Sequence, residues 1–323
     1  MTTPPAGTGR VVITGGTGFV GRAVVAAFAR RGNPVTVVDR TPHPDPAVHS
    51  IIGDLTDPAV IAEALAERDI AGVVHLAAVT SVLRSIQHPT AVYQANVTTT
   101  QQLLEGCRQA GVERFLMAST NAVVGDVGYA TMDEAVPLRP LTPYGATKAA
   151  SEMLLCGYAG AYGMAAGALR FTNIYGPGMQ HKDSVIPRMM RAALSGQRVQ
   201  IYGDGLQRRD FVHVSDAVQG LLAAWQRRLT GPVIIGSGCS VSVLELLDLV
   251  RAVTGAELEA EHVPAKRGEM PAVIVAISRA RELLGYRPSV SLVDGLRGVW
   301  REFAAAGARA GCATTTSAAG LAR

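Results

Sequence analysis

The chain has 323 residues, 48% of them apolar and 17% charged, with a formal net charge of +4. That length and apolar share suit one large domain or two coupled ones, and they exclude a mostly disordered chain. The Lys and Arg are scattered and no basic stripe alternates with aromatics, so nucleic-acid binding is not expected. Cys107, Cys156, Cys239 and Cys312 lie far apart and form no CxxC pair. No metal site or disulfide framework is expected from them, and a reducing cytoplasm fits best. The opening MTTPPAGTGR lacks the apolar core of a signal peptide. No uncharged apolar run reaches the roughly 18 residues that a membrane span needs.

In chain order, short apolar runs bounded by Gly, Pro or polar residues predict strands at 11–14, 35–38, 73–76, 115–119 and 167–171. Between them, helices are predicted at 19–31, 58–68, 89–110 and 144–162. Such alternation implies an α/β fold, a Rossmann-type doubly wound parallel sheet covered on both faces. After about residue 178 the pattern loosens. GPGMQHKDSV reads as a loop, followed by helices at 186–194, 215–227 and 242–253 and an apolar run at 233–235. A smaller C-terminal α/β lobe is the natural reading. The expected division is 10–178 with 209–238 returning to it, then 179–208 and 239–302 as the lobe. Residues 1–9 and the aperiodic, small-residue stretch 303–323 are expected to be flexible tails.

VVITGGTGFVGRAVV places a glycine-rich turn after the first strand and at the start of a helix. Gly15 can turn tightly and Gly18 lets the backbone approach a pyrophosphate. Gly21 lets helix and strand pack closely. Phe19 and Val20 open the helix whose N–H groups and positive dipole end suit phosphates. Asp39 closes the second strand, where a carboxylate accepts from the adenosine ribose hydroxyls and repels a 2′-phosphate. NAD is therefore expected, with Arg40 beside it leaving NADP open. In GDLTD, Asp54 and Leu55 can meet the adenine edge, and a plain turn is nearly as good a reading. Leu76, Ala77 and Ala78 end the next strand with small residues, over which a cofactor can lie.

The run LMASTNAVVGD ends a buried strand in Ser119, Thr120 and Asn121. In TPYGATKAASEML, Tyr144 and Lys148 stand at i and i+4 on one helix face. A phenol near its ordinary value, about 10, is a poor base at neutral pH. The Lys148 ammonium and a cationic nicotinamide are expected to pull it down, with Thr120 sharing the substrate proton.

With these motifs in order, the chain resembles the extended short-chain dehydrogenase/reductase family. The likeness covers about residues 10–300 and includes HLAA, Asn96, LRFTNIYGPG and RRDFVHVSD. Within that family it looks like the nucleotide-sugar epimerases, dehydratases and decarboxylases. The resemblance implies Thr120, Tyr144 and Lys148 as the catalytic set, with Tyr144 removing the C4 hydroxyl proton. It implies Asn96, Ser119, Tyr144 and Lys148 at the cofactor. It also implies a UDP- or dTDP-sugar partner met by Thr120, Asn173, Val185, Arg188, Tyr202, Arg209, Lys266 and Glu269. A homodimer through the 89–110 and 144–162 helices is expected on the same ground.

The residues after Thr120 bear on the reaction. The 4,6-dehydratases carry an Asp-Glu pair there for chemistry at C5 and C6, whereas this chain has Asn121 and Ala122. Neither is an acid or base near neutral pH, which argues against 4,6-dehydration and for reversible redox at C4. The expected activity is 4-epimerisation. A glucuronate decarboxylase or a 4-ketoreductase is the alternative, and Ala122 and Gly178 weaken the decarboxylase. His181, Lys182 and Arg188 can still meet a carboxylate. Val124 stands where a tyrosine is common, and Val273 is expected beside the sugar pocket.

Overall fold

The structure is a computed structural model that describes residues 9–265 and 270–318, with side chains of the final helix described to 307. The chain runs β1 (Arg10–Thr14), α1 (Phe19–Ala29), β2 (Val35–Asp39), β3 (His49–Ile52), α2 (Pro58–Leu65), β4 (Ile70–His75), α3 (Val82–Gln87) and α4 (Pro89–Tyr93). A π-helical segment, Gln94–Thr98, leads into α5 (Thr99–Gln109), then β5 (Arg114–Thr120) and a 3-10 turn, Asn121–Val123. Next come β6 (Thr131–Met132), α6 (Pro143–Tyr162), β7 (Ala165–Phe171), β8 (Asn173–Tyr175), α7 (Val185–Ser195), β9 (Val199–Tyr202) and β10 (Arg208–His213). The remainder is α8 (Val214–Gln226), β11 (Gly231–Ile235), β12 (Ser240–Ser242), α9 (Val243–Thr254), β13 (Ala260–Val263), β14 (Ile274–Val275), α10 (Ser278–Leu284) and α11 (Leu292–Ala318).

Seven strands form one sheet in the order β11-β7-β5-β4-β1-β2-β3, and every pair in it is parallel. Chain direction reverses its walk across the sheet between β1 and β4, which opens a crevice at the strand ends. The sequence explains why these runs become strands. β7 is buried along its whole length, and only the first residue of β1 is not, so both faces are covered and alternation is absent. On one face, Val24, Phe28, Leu221 and Trp225 pack against Ile13, Leu169 and Ile234. On the other, Ile61, Leu104, Cys107 and Leu155 pack against Val12, Val73 and Phe115. Each such side chain contributes roughly 1.5–3 kcal/mol of burial. A third core gathers Met189 and Met190 of α7, Ile201, Leu246 and Val250 of α9, and Val299 and Phe303 of α11.

Helix α6 carries half of the candidate site and is bounded by clear signals. The Thr142 side chain accepts from the Gly145 N–H and Pro143 occupies the first turn. Gly163, at φ +68°, ends it.

Several expectations change. The predicted single helix over 89–110 is interrupted. The Thr99 hydroxyl takes the Gln94 carbonyl at 3.2 Å, and the Asn96 carbonyl accepts from the Thr100 hydroxyl at 2.6 Å. Hydroxyls competing for backbone carbonyls favour the wider π turn there. The stretch from 303, expected as a tail, continues as helix to Ala318, and Phe303 is only 4% exposed. Its alanines favour helix, and an aperiodic reading overlooked that propensity. Val124 and Val273 are both buried in the first core and so do not line an open sugar pocket. Lys266 and Glu269 lie outside the described residues. Among the described residues, no helix is long and apolar enough to cross a membrane.

Candidate active site

The crevice begins at the turn between β1 and α1. Gly15 adopts φ +72°, and a Cβ there would sit 2.7 Å from the Ala77 nitrogen. A Cβ on Gly21 would stand 2.1 Å from the Gly15 carbonyl oxygen. Only hydrogen fits at either place, so α1 starts directly against the strand ends. Gly18 precedes Phe19 and has no side chain with which to cap the helix. The first-turn N–H groups are thereby left to a ligand, and this cradle fits a dinucleotide pyrophosphate. Val20 packs toward the first core, and Phe19 toward the third. The Lys182 ammonium stands 5.9 Å from the Phe19 ring centroid.

Asp39 ends β2 as expected. Its Oδ2 accepts from the Thr17 N–H at 3.0 Å and the Thr17 hydroxyl at 2.7 Å, and its Oδ1 from the Arg40 N–H at 2.8 Å. The carboxylate thus ties the second strand to the glycine-rich turn, with Arg40 exposed beside it. Asp54 closes its own turn, accepting from the Thr56 N–H and hydroxyl, and those bonds hold its carboxyl below the usual range. Leu55, expected at the adenine edge, is instead buried in the second core. Leu76, Ala77 and Ala78 are all partly exposed at the end of β4, and the Ala77 N–H donates to the Thr14 hydroxyl at 3.2 Å.

Two residues expected at the cofactor do other work. Asn96 is buried, and its Nδ2 donates to the Val79 carbonyl at 3.1 Å and the Thr147 hydroxyl at 3.0 Å. Its Oδ1 accepts from the Val79 N–H at 2.8 Å. With both amide hydrogens spent, it clamps the loop after β4 to α6. The Ser119 hydroxyl donates to Glu152 Oε1 at 2.5 Å, on the side of β5 that faces α6. His75 escaped the sequence reading. It is buried between the hydroxyls of Thr14, at 2.7 Å, and Thr100, at 3.2 Å. Burial, with Lys148 nearby, pushes it down to about 3, so it stays neutral. Its position in VVHLAA, polar within an apolar run, was the available signal.

The end of β5 and one face of α6 make the reactive part. Lys148 is 3% exposed, and its ammonium donates to the Ala118 carbonyl at 2.8 Å. Burial pushes it down to about 8, partly offset by the charge on Glu152. Tyr144 is hydrogen-bonded to Thr120, and Thr120 Oγ1 also accepts from the Ala122 N–H at 3.2 Å. The Tyr144 phenol is pushed up to about 12 by burial, against the pull of Thr120. Without the cationic nicotinamide that was expected to act together with Lys148, the protein raises the phenol. Burial is the larger influence on the phenol, and the Lys148 ammonium is spent on the Ala118 carbonyl. A phenolate here needs further positive charge, of the kind a nicotinamide ring supplies.

The expected substrate residues fall into two groups. Arg188 on α7 makes a two-pronged pair with Asp183, at 2.6 and 2.7 Å, and a bond to Tyr202 of β9, with Val185 one turn away. Asn173 and Arg209 come from the adjacent strands β8 and β10. Asn173 Nδ2 donates to the Asp210 carbonyl at 2.9 Å, and Arg209 Nη1 to the Arg208 carbonyl at 2.8 Å. Asp210, not anticipated, is fully buried and accepts from Thr172 and from the N–H and hydroxyl of Ser237. It pins the loop after β11 to β10.

A dinucleotide crevice that opens onto a phenol is characteristic of redox enzymes acting on secondary alcohols. A family model described as the NAD dependent epimerase/dehydratase family matches residues 11–236. The dTDP-glucose 4,6-dehydratase of Streptomyces griseus is 34% identical over 90% of this chain and 92% of its own length. The UDP-glucose 4-epimerase of Corynebacterium glutamicum is 31% identical over 86% and 91%. The solved structure of MoeE5 in complex with UDP-glucuronic acid and NAD superposes with a TM-score of 0.85. It is 38% identical and covers 92% of this chain and 100% of that one. The chain belongs to the NAD-dependent epimerase/dehydratase family, within the extended short-chain dehydrogenases/reductases.

Proposed function

We propose that the chain is an NAD-dependent nucleotide-sugar 4-epimerase. The observation that carries this reading is the turn directly after Thr120. Asn121 is 5% exposed and its Oδ1 is buried without a hydrogen-bond partner among the described residues. Ala122 follows it. By resemblance to the 4,6-dehydratases, an amide and a methyl stand at the two positions that elimination at C5 and C6 would fill with an acid and a base.

NAD, held at the glycine-rich turn between β1 and α1, would supply a hydride acceptor and donor at the sugar C4. The chain's own residues govern the proton. Tyr144, ionised, removes it from the C4 hydroxyl, and Thr120 holds the oxygen in place. Lys148, anchored on Ala118, keeps a positive charge beneath the phenol. With the sugar turned over, Tyr144 would give the same proton back to the C4 oxygen, so inversion at C4 would need no second acid–base pair. Asn173, Arg188, Tyr202 and Arg209 hold the nucleoside diphosphate in this reading, and the third core is the body of the lobe that carries α7 and β9. The likeness to MoeE5, seen with UDP-glucose and with UDP-glucuronic acid, supports a UDP-hexose or UDP-uronate as the sugar donor. The homodimer through α4–α5 and α6 belongs to the same reading.

Proton NMR of the purified protein with UDP-glucose, UDP-N-acetylglucosamine and UDP-glucuronate tests it. Conversion of axial to equatorial H4 with every carbon retained is expected. A 4-keto-6-deoxy product, release of carbon dioxide or stoichiometric use of added NADH would overturn it.

A further inference from the structure

Behind the phenol and the lysine lies a second charged residue of α6 that neither role explains. Tyr144, Lys148 and Glu152 succeed one another at four-residue steps, so all three face β5. Glu152 is 1% exposed. Arg170 of β7, 2% exposed, donates through Nε to both its oxygens at 3.1 Å and through Nη2 to Oε2 at 2.7 Å. Ser119 supplies the fourth bond, and it is the residue opposite Arg170 in the β5–β7 register. Arg170 Nη1 is buried with no hydrogen-bond partner among the described residues.

A buried ion pair is a poor device for stability, because apolar residues of the same size commonly serve as well or better. The charges themselves suggest another use. Lys148, Glu152 and Arg170 sum to one net positive charge in a dry region. Among the described residues, the neutral His75 of β4 feels the charge on Lys148, and Tyr144 stands one turn before it on its own helix. Glu105 of α5 and Tyr158 bond each other at the far end of α6. A surplus positive charge beside a phenol favours phenolate, and a carboxylate one turn from a buried ammonium keeps that ammonium charged.

We propose that Glu152 and Arg170 are positioning residues whose opposed charges together set the basicity of both Lys148 and Tyr144. Glu152 holds the lysine protonated against its burial. Arg170 cancels most of the carboxylate's effect on the phenol, which would otherwise be pushed up further. This inference rests on the proposed reaction for its kinetic readout but not for its optical one.

The experiment compares Glu152→Gln and Arg170→Gln with the wild type, all loaded with NAD. The optical readout is the ultraviolet phenolate absorbance assigned to Tyr144 by subtracting Tyr144→Phe. The kinetic readout is the pH profile of turnover. Glu152→Gln removes the carboxylate that raises both groups, so both limbs of the profile and the phenol titration move to lower pH, by about one unit. Arg170→Gln leaves the carboxylate unbalanced and moves them to higher pH by a similar amount. Glu152→Asp, which keeps the charge, leaves them in place. Should a single variant not fold, two doubles carry the same contrast. Glu152→Gln with Arg170→Lys leaves the lysine and a second cation. Glu152→Asp with Arg170→Gln leaves the carboxylate without its arginine. Loss of melting temperature with no movement of the titration, or movement of both variants in one direction, would overturn the proposal. If no sugar on the panel is turned over, the proposed reaction fails while the phenol titration still decides this point.

Discussion

The Lys148 ammonium donates to the carbonyl of Ala118 across 2.8 Å, so a buried cation of α6 is moored to the backbone of β5 two residues before Thr120. A lysine in that position is costly to fold and valuable to keep, and its removal should separate the two effects. Burial sets its folded value at about 8, below the ordinary 10.5. Below pH 8 the folded state carries the ammonium at a cost. Between 8 and 10.5 the unfolded state binds more protons, so stability rises with pH across that window. Lys148→Met should therefore be more stable than the wild type at pH 7, by on the order of 3 kcal/mol, with the gap closing above pH 8. Urea unfolding at pH 7 and pH 10 checks the sign. Turnover should fall at both.

Tyr144→Phe removes the group that takes the C4 proton in the proposed reaction. Turnover should fall by roughly 10²–10⁴-fold, the range typical of a lost acid–base group. The melting temperature should hold, because the hydroxyl's bond to Thr120 is modest in net worth. Steady-state kinetics with thermal unfolding would reveal a misassigned base through unchanged turnover.

Asn121→Leu replaces an amide whose oxygen is buried and unpartnered among the described residues with an apolar group of the same branching. Stability of the ligand-free protein should rise by about 1–3 kcal/mol, since the penalty of the unmet acceptor disappears. A fall in stability, measured by denaturant titration, would mean that the amide already has a structural partner.

Gly21→Ala puts a methyl 2.1 Å from the Gly15 carbonyl oxygen, closer than any real contact allows. The turn has to move, and NAD affinity should drop by more than about tenfold, equivalent to about 1.4 kcal/mol. Fluorescence titration with NADH reads this directly. Gly32→Ala, where open space surrounds the added methyl, is the control, with its own strain from φ +79°.

The sheet was legible because buried parallel strands are short, apolar and separated by helices, and the Gly-x-x-Gly-x-x-Gly spacing located the crevice. Thr120, Tyr144 and Lys148 were legible because the i, i+4 step puts the last two on one helix face beside a polar strand end. The direction of the Tyr144 shift was not. It depends on how dry the hydroxyl is, which spacing does not encode. Asn96, Ser119 and Leu55 were read as ligand contacts because their positions in sequence adjoin the crevice. Their side chains turn toward α6, the loop after β4 and the core, a matter of register and rotamer. Glu152 was visible as the next step after Lys148, but its partner Arg170 comes from another strand, and only the sheet order brings them together.

The last three residues of β5 answer three successive turns of α6: Thr120 to Tyr144, Ala118 to Lys148, Ser119 to Glu152. Strand and helix are thereby held in phase, like two rulers pinned at three marks. One residue gained or lost in either would throw all three out at once. Asn121 and Ala122 stand just past the last mark, where identity can vary without shifting the frame.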